Sequence, residues 1–212
     1  MKKTILIFSS IIITAILSYQ ITWINYFLIL IVFLNIAFLI IVGLISIFKK
    51  LRNRIFKIPV LIICLCIVGI LASLFHPYEK AIINSNNLSD NLEYAYKTDQ
   101  KDRKELKSFI GYFSKLEERD SIRLKQIRKI YKQDKLSKPI DKFHAAFVFH
   151  HSDNSKDYKI ASELAEDAAN SEILKNNYTV QWLKKASYDR YMVSIGQPEK
   201  YNTQNNLSID LN

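Results

Sequence analysis

The sequence predicts an all-α membrane protein, with three amino-terminal transmembrane helices followed by a compact extracytoplasmic helical domain. Three observations point that way. Of 212 residues with a formal net charge of +10, residues 1–76 hold seven basic and no acidic side chains, so that third carries +7 and the remainder +3. So apolar a stretch has too little polar surface to cover itself in water. After residue 76 the apolar spacing is helical, with no useful strand-like alternation and only Gly111, Gly196, Pro77, Pro139 and Pro198 to interrupt it. The only cysteines, Cys64 and Cys66, lie in an apolar run. The polar part therefore has no thiol for a bridge, a nucleophile or a Cys-containing metal site.

Residues 1–76 are read as the transmembrane region, with spans at about 4–20, 24–48 and 55–76. The first follows Lys2 and Lys3 and has the length of a signal peptide, yet no small-residue cleavage pattern follows it. The second is 25 residues long with only Asn25 and Asn35 strongly polar, enough to cross about 30 Å of hydrocarbon. The third is interrupted only by Lys57 near its start. Lys49, Lys50, Arg52 and Arg54 sit between the second and third spans, while the first connection has no Lys or Arg. By the positive-inside rule both basic clusters are cytoplasmic, which sends residues 77–204 across the membrane whether or not the first segment is cleaved. Tyr19, Trp23, Tyr26, Phe75, His76 and Tyr78 fit an outer interfacial belt. Asn25 and Asn35 can join helices by hydrogen bonds, and with no paired acids in the spans an ion pathway has no carrier.

In residues 77–204, Leu88, Leu92 and Tyr96 share a helical face. Leu106, Ile110, Phe113 and Leu116 continue at similar spacing, followed by Ile122, Leu124, Ile127, Ile130 and Tyr131. A charged connection over 132–138 leads to Pro139, which suits the first turn of a helix over about 139–152. That helix is the most apolar and is expected at the centre. A helix from Asp157 to about Ser171 has alanines that allow close packing. Asn177 or Thr179 caps a last helix running to Val193. Residues 205–212 read as a tail. The net +3 of this part is too evenly mixed to indicate nucleic acid. The partners expected are the lipid bilayer and an envelope protein or cell-envelope ligand, and no cofactor is implied.

Candidate chemistry is sparse. His144 and His151 lie seven apart on one side of the central helix, with His150 and Asp153 near its end, a set able to bind a cation or move a proton. The spacing matches no strong metal-ligand motif, so these histidines are weak metal candidates, and the first reading of His151 is a buried residue holding Asp153. Arg190 follows Leu183 and Ala186 along an apolar face and needs a carboxylate such as Asp153 or Asp189, or an anionic ligand. Trp182, Tyr188, Tyr191 and Tyr201 can line a neighbouring cleft. There is no nucleophile elbow, phosphate-cradling loop or Cys pair.

Three segments resemble a family of uncharacterised bacterial proteins: Ala145 to Asp153 (AAFVFHHSD), Trp182 to Ser194 (WLKKASYDRYMVS) and Gly196 to Gln204 (GQPEKYNTQ). That family's pattern is a Gln-His-Ala/Gly-Asp-like segment, an Asp-Arg helix and a closing Gly-x-Pro-Gln-x-Tyr-Gly-Thr-Gln. His150 stands where the resemblance implies Gln, and His151 where it implies His. Asp189, Arg190, Tyr201, Thr203 and Gln204 fall on matching positions, and Asp120 and Arg123 resemble an earlier helix of the family. Glu199 replaces Gln and Asn202 replaces Gly, Asn being a residue that also tolerates a left-handed backbone. The likeness covers about residues 115–204. It implies a shared polar cluster and no reaction. The expected role is binding, at a site formed by His151, Asp153, Asp189, Arg190 and Tyr201, with Thr203, Gln204 and Trp182 as further contacts. One alternative is a hydrolase-like or metal-dependent enzyme with His151 as base, Asp153 orienting it and Arg190 stabilising an anionic transition state. The other is a purely structural cluster.

Overall fold

The computed structural model describes residues 2–133 and 136–204. The expected tail at 205–212, and two residues of the 132–138 connection, lie outside them. The described chain is all-α and divides into two compact units.

The first unit comprises residues up to Tyr78 together with 104–114. Its helices are α1 (Lys2–Gln20), α2 (Ile24–Phe48) and α3 (Arg54–Leu74). Helices α2 and α3 are each long and apolar enough to cross a membrane, and α1 is a shorter apolar helix. α3 packs along both others, which barely touch each other, and it ends shortly before Pro77, whose ring disfavours helical backbone in the residue ahead of it. Gly69 makes this packing possible. A methyl group added at its Cα would stand 2.6 Å from Leu28 Cδ1, 2.7 Å from Ser18 Oγ and 2.9 Å from Thr14 Cγ2, so α1 and α2 both close on the one position of α3 that has no side chain. Gly69→Val is therefore expected to separate the bundle. The check is crosslinking of cysteine pairs placed across α1 and α3, on a background with Cys64 and Cys66 replaced; undiminished crosslinking would contradict the packing role.

Residues 104–114 do not extend a helical face. Leu106–Phe109 form a single 3₁₀ turn between extended residues at Glu105 and Ile110, and the next helix begins afresh at Leu116. The apolar spacing of Leu106, Ile110 and Phe113 reads as helical, but Gly111 and the inward turn of Lys107 break it.

The second unit contains 79–103 and the described residues from 115 onward. Its helices are α4 (Leu88–Lys104, the last residue of which belongs to the first unit), α5 (Leu116–Tyr131), α6 (Pro139–His150), α7 (Ser155–Ala169) and α8 (Tyr178–Ser194). Pro139 opens α6, where its missing N–H costs nothing. α6 is the central helix, buried continuously from Phe143 to His150 and packed against α5, α7 and α8. Ala145, Ala146, Ala161, Ala165 and Ala168 are fully inaccessible, which lets α6 and α7 approach closely. Leu92, Ile127, Phe149 and Leu183 complete the core, each contributing up to about 1.5–3 kcal/mol of burial. Asn154 accepts the Asp157 amide at 3.0 Å and starts α7 at Ser155, two residues ahead of the expected Asp157, while Asn177 accepts the Val180 amide at 3.2 Å and starts α8. Each cap contributes about 1 kcal/mol.

Candidate functional site

The polar centre of the second unit begins on α4 and α5. Asp102 and Arg103 stand three and four residues after Asp99 and, with it, meet Arg119, Asp120 and Arg123 from α5. Arg123 is fully inaccessible. It is paired with Asp102, donates to Asp120 Oδ1 at 3.0 Å and reaches Thr98 Oγ1 at 3.3 Å. Arg119 holds Asp102 from the other side at 2.6 and 3.1 Å and gives its remaining arm to the Glu79 carbonyl at 2.7 Å. Arg103 bridges Asp99 at 3.0 Å and Asp120 at 2.6 Å. Three carboxylates thus meet three guanidinium groups. Burial favours the neutral form of Arg103, but the charges of Asp99 and Asp120 outweigh it and raise its pKa; burial raises that of Asp120.

His151, the residue that closes α6, abuts this network. Its Nε2 is 3.5 Å from Asp99 Oδ2 and has no hydrogen-bond partner. Burial first, then the nearby charges of Arg103, Arg190 and Arg123, push its pKa down to about 2. The imidazole is neutral at working pH. The expected link to Asp153 is not formed: Asp153 accepts from Asn154 Nδ2 at 3.3 Å, and Asp99 is the carboxylate nearest His151. Asp153 follows the helix end and is exposed, whereas Asp99 reaches the ring from α4. His151 and Asp153 nonetheless line one cleft of about 460 Å³, together with Glu117, Asp120, Ser121 and Arg128. Arg128 is bound to Asp157. Glu117 and Asp153 are exposed, and neither has an ion-pair partner among the described residues.

Asp189 and Arg190 play different parts from each other. Asp189 is fully inaccessible and accepts the backbone amides of Lys200, Tyr201 and Thr203 at 2.9–3.1 Å, with the Thr203 hydroxyl at 2.8 Å. Burial disfavours its charge, but these donors prevail and its pKa is lowered. Asn202 makes the turn possible by adopting φ +54°, as expected for an Asn in place of Gly. Glu199 accepts the Gln204 amide at 2.8 Å. Arg190 pairs with neither Asp153 nor Asp189. It donates through Nε to Gln204 Oε1 at 3.0 Å and through Nη1 to the His150 carbonyl at 2.8 Å, so neutral oxygens replace the anticipated carboxylate. Arg190 thereby ties together the HHSD, DR and GQPEKYNTQ segments. Its own pKa is lowered, chiefly by burial.

The remaining candidates are dispersed. Tyr201 meets Tyr188 edge-on at 5.8 Å, and Trp182 lies 6.2 Å from Phe147 and 6.3 Å from His150. None of Trp182, Arg190 and Tyr201 is in the wall of the cleft. His144 stacks on Tyr96 at 4.9 Å. His150 is buried, its Nδ1 unpartnered, and burial with the Arg190 charge pulls its pKa far down. Among the described residues no three His, Cys, Asp or Glu side chains are grouped to hold a metal ion.

Asp99, Asp102, Arg103, Arg119 and Glu117 are absent from the sequence-derived candidates. A usable signal existed. Leu92, Ala95, Asp99 and Asp102 continue one stripe at steps of three and four, so the two acids sit on the buried face rather than on a solvated flank.

Comparison of the chain with protein-family models, with curated proteins and with solved structures gives no match. Fold and composition define a membrane-associated all-helical protein with a distinct helical carboxy-terminal domain.

Proposed function

We propose that the chain is a bacterial cytoplasmic-membrane protein with three spans, whose carboxy-terminal helical unit lies outside the cytoplasm and binds an envelope component or protein. The basic residues at both expected cytoplasmic turns support the topology, and the association of α1 with α3 supports counting α1 as a span. Kinship with the uncharacterised bacterial family is part of this proposal; the meeting of its three segments at Arg190 is consistent with it.

The observation that carries a binding role is the cleft itself. It is lined by two exposed carboxylates, Glu117 and Asp153, that have no ion-pair partner among the described residues, and by a neutral His151 whose Nε2 is unpartnered. The fitting ligand presents an ammonium or guanidinium group to the two acids. The hydrolase-like alternative has less support, because a histidine held this far below its ordinary pKa is a poor proton acceptor at neutral pH. Spermidine titrated onto the full chain in nanodiscs should bind, and Glu117→Gln with Asp153→Asn should weaken binding by at least about tenfold, or ~1.4 kcal/mol. Equal affinity in the double variant would remove the cleft from the proposal. A reporter fused after Asn212 that proves cytosolic in intact cells would remove the topology.

A further inference from the structure

Two of the three aromatic residues of segment 104–114, Phe109 and Tyr112, face outward although its only internal cation faces in. Lys107 is almost fully buried. It pairs with Glu105 at 2.8 Å, donates to the His76 carbonyl at 2.6 Å and sits 3.5 Å from the centre of the Tyr78 ring. Ser108 Oγ is hydrogen-bonded to Tyr78 OH at 2.9 Å. With these polar groups spent inward, the outer surface is left to Phe109 and Tyr112, which are 72% and 92% exposed.

The segment is fixed at one end of the apolar bundle. Tyr26 OH donates to the Lys104 carbonyl at 2.5 Å, His76 Nδ1 is 2.7 Å from the Tyr19 carbonyl, and Phe113 meets Phe75 edge-on at 5.5 Å. Tyr19, Tyr26 and Phe75 are therefore neighbours of the segment within the same unit, and all three belong to the expected outer belt. Exposed Lys104 adjoins it in the same unit. Apolar rings at the end of a spanning bundle, beside an exposed lysine, form the pattern of a surface seated at the headgroup boundary.

We infer that residues 106–113 are a second membrane contact, in which Phe109 and Tyr112 enter the outer-leaflet interface of the bilayer that α1–α3 span. The inference rests on the spanning role proposed above, and continuity with the bundle's own lipid-facing surface selects lipid over protein as the occupant.

The test uses single-tryptophan forms of the full chain, with Trp23→Phe and Trp182→Phe as background. Phe109→Trp, Tyr112→Trp and, in α2, Phe38→Trp are each reconstituted into phosphatidylcholine–phosphatidylglycerol vesicles with brominated acyl chains. Bromine near the ester end should quench most of the emission at 109 and 112, and aqueous iodide should quench little. Bromine deeper in the chains should quench at 38. Free iodide quenching at 109 and 112, with bromine quenching kept at 38, would overturn the interfacial contact alone. Loss of bromine quenching at all three positions would overturn the spanning role and this inference with it.

Discussion

Arg123→Met is expected to destabilise the second unit by about 3–5 kcal/mol. The side chain is fully inaccessible and paired with Asp102 and Asp120. Methionine matches much of the volume, so packing loss is small and the cost arises from carboxylates left inside without their charge. Arg119 still holds Asp102 and Arg103 still holds Asp120, which keeps the effect from being larger. Urea unfolding of the full chain in detergent, followed by Trp182 emission in a Trp23→Phe background, reads the change. Lys125, exposed on the same helix, is the control: Lys125→Ala should fall within about 0.5 kcal/mol of the parent. A loss under about 1 kcal/mol for Arg123→Met would show that the remaining arginines suffice and that Arg123 is not the centre of the network.

Mild acid should weaken the same unit through its buried histidines. His150 and His151 are held below their ordinary pKa by burial, Arg190 and Arg103. Unfolding restores a value near 6.5, so between that pH and the depressed folded values the unfolded chain binds protons the folded chain refuses. Stability is therefore complete above about pH 6.5 and falls as pH drops below it, by about 1.4 kcal/mol per pH unit for each histidine kept neutral. Asp157 and Asp189, whose folded pKa values are lowered, add a separate loss below about pH 4, as pH falls through those values. The urea midpoint of the same Trp182 signal, measured from pH 7.5 to 5, should decline steadily, and His150→Gln with His151→Gln should flatten it. An equal slope in the double variant would assign the acid sensitivity elsewhere.

Much of the helical skeleton was legible because its signals are local. The long apolar runs mark the helices α2 and α3, Pro139 opens α6, and Asn177 caps α8 where its side chain can reach the amide three residues on. The composition of α6, with every residue from Ala145 to Phe149 apolar, states its central position, since such a run has no polar face to turn to water. Misreadings came where charge and spacing conflict. Leu106, Ile110 and Phe113 keep helical intervals yet belong to a short turn, and only Lys107 folding back on His76 reveals why.

The candidate site divides along the same line. Sequence alone determined which residue types were available: the adjacent Asp189 and Arg190, the histidines ending α6, and an Asn at a position that adopts a positive φ in the closing segment. Their partners were decided by the tertiary structure. Whether Arg190 meets a carboxylate or a carbonyl, and whether His151 leans on Asp153 or Asp99, depends on which helices cross within a few ångströms. A hydrogen bond or ion pair is fixed by distances between elements far apart in the chain, and periodicity, which records only the face a residue occupies on its own helix, holds no information about them.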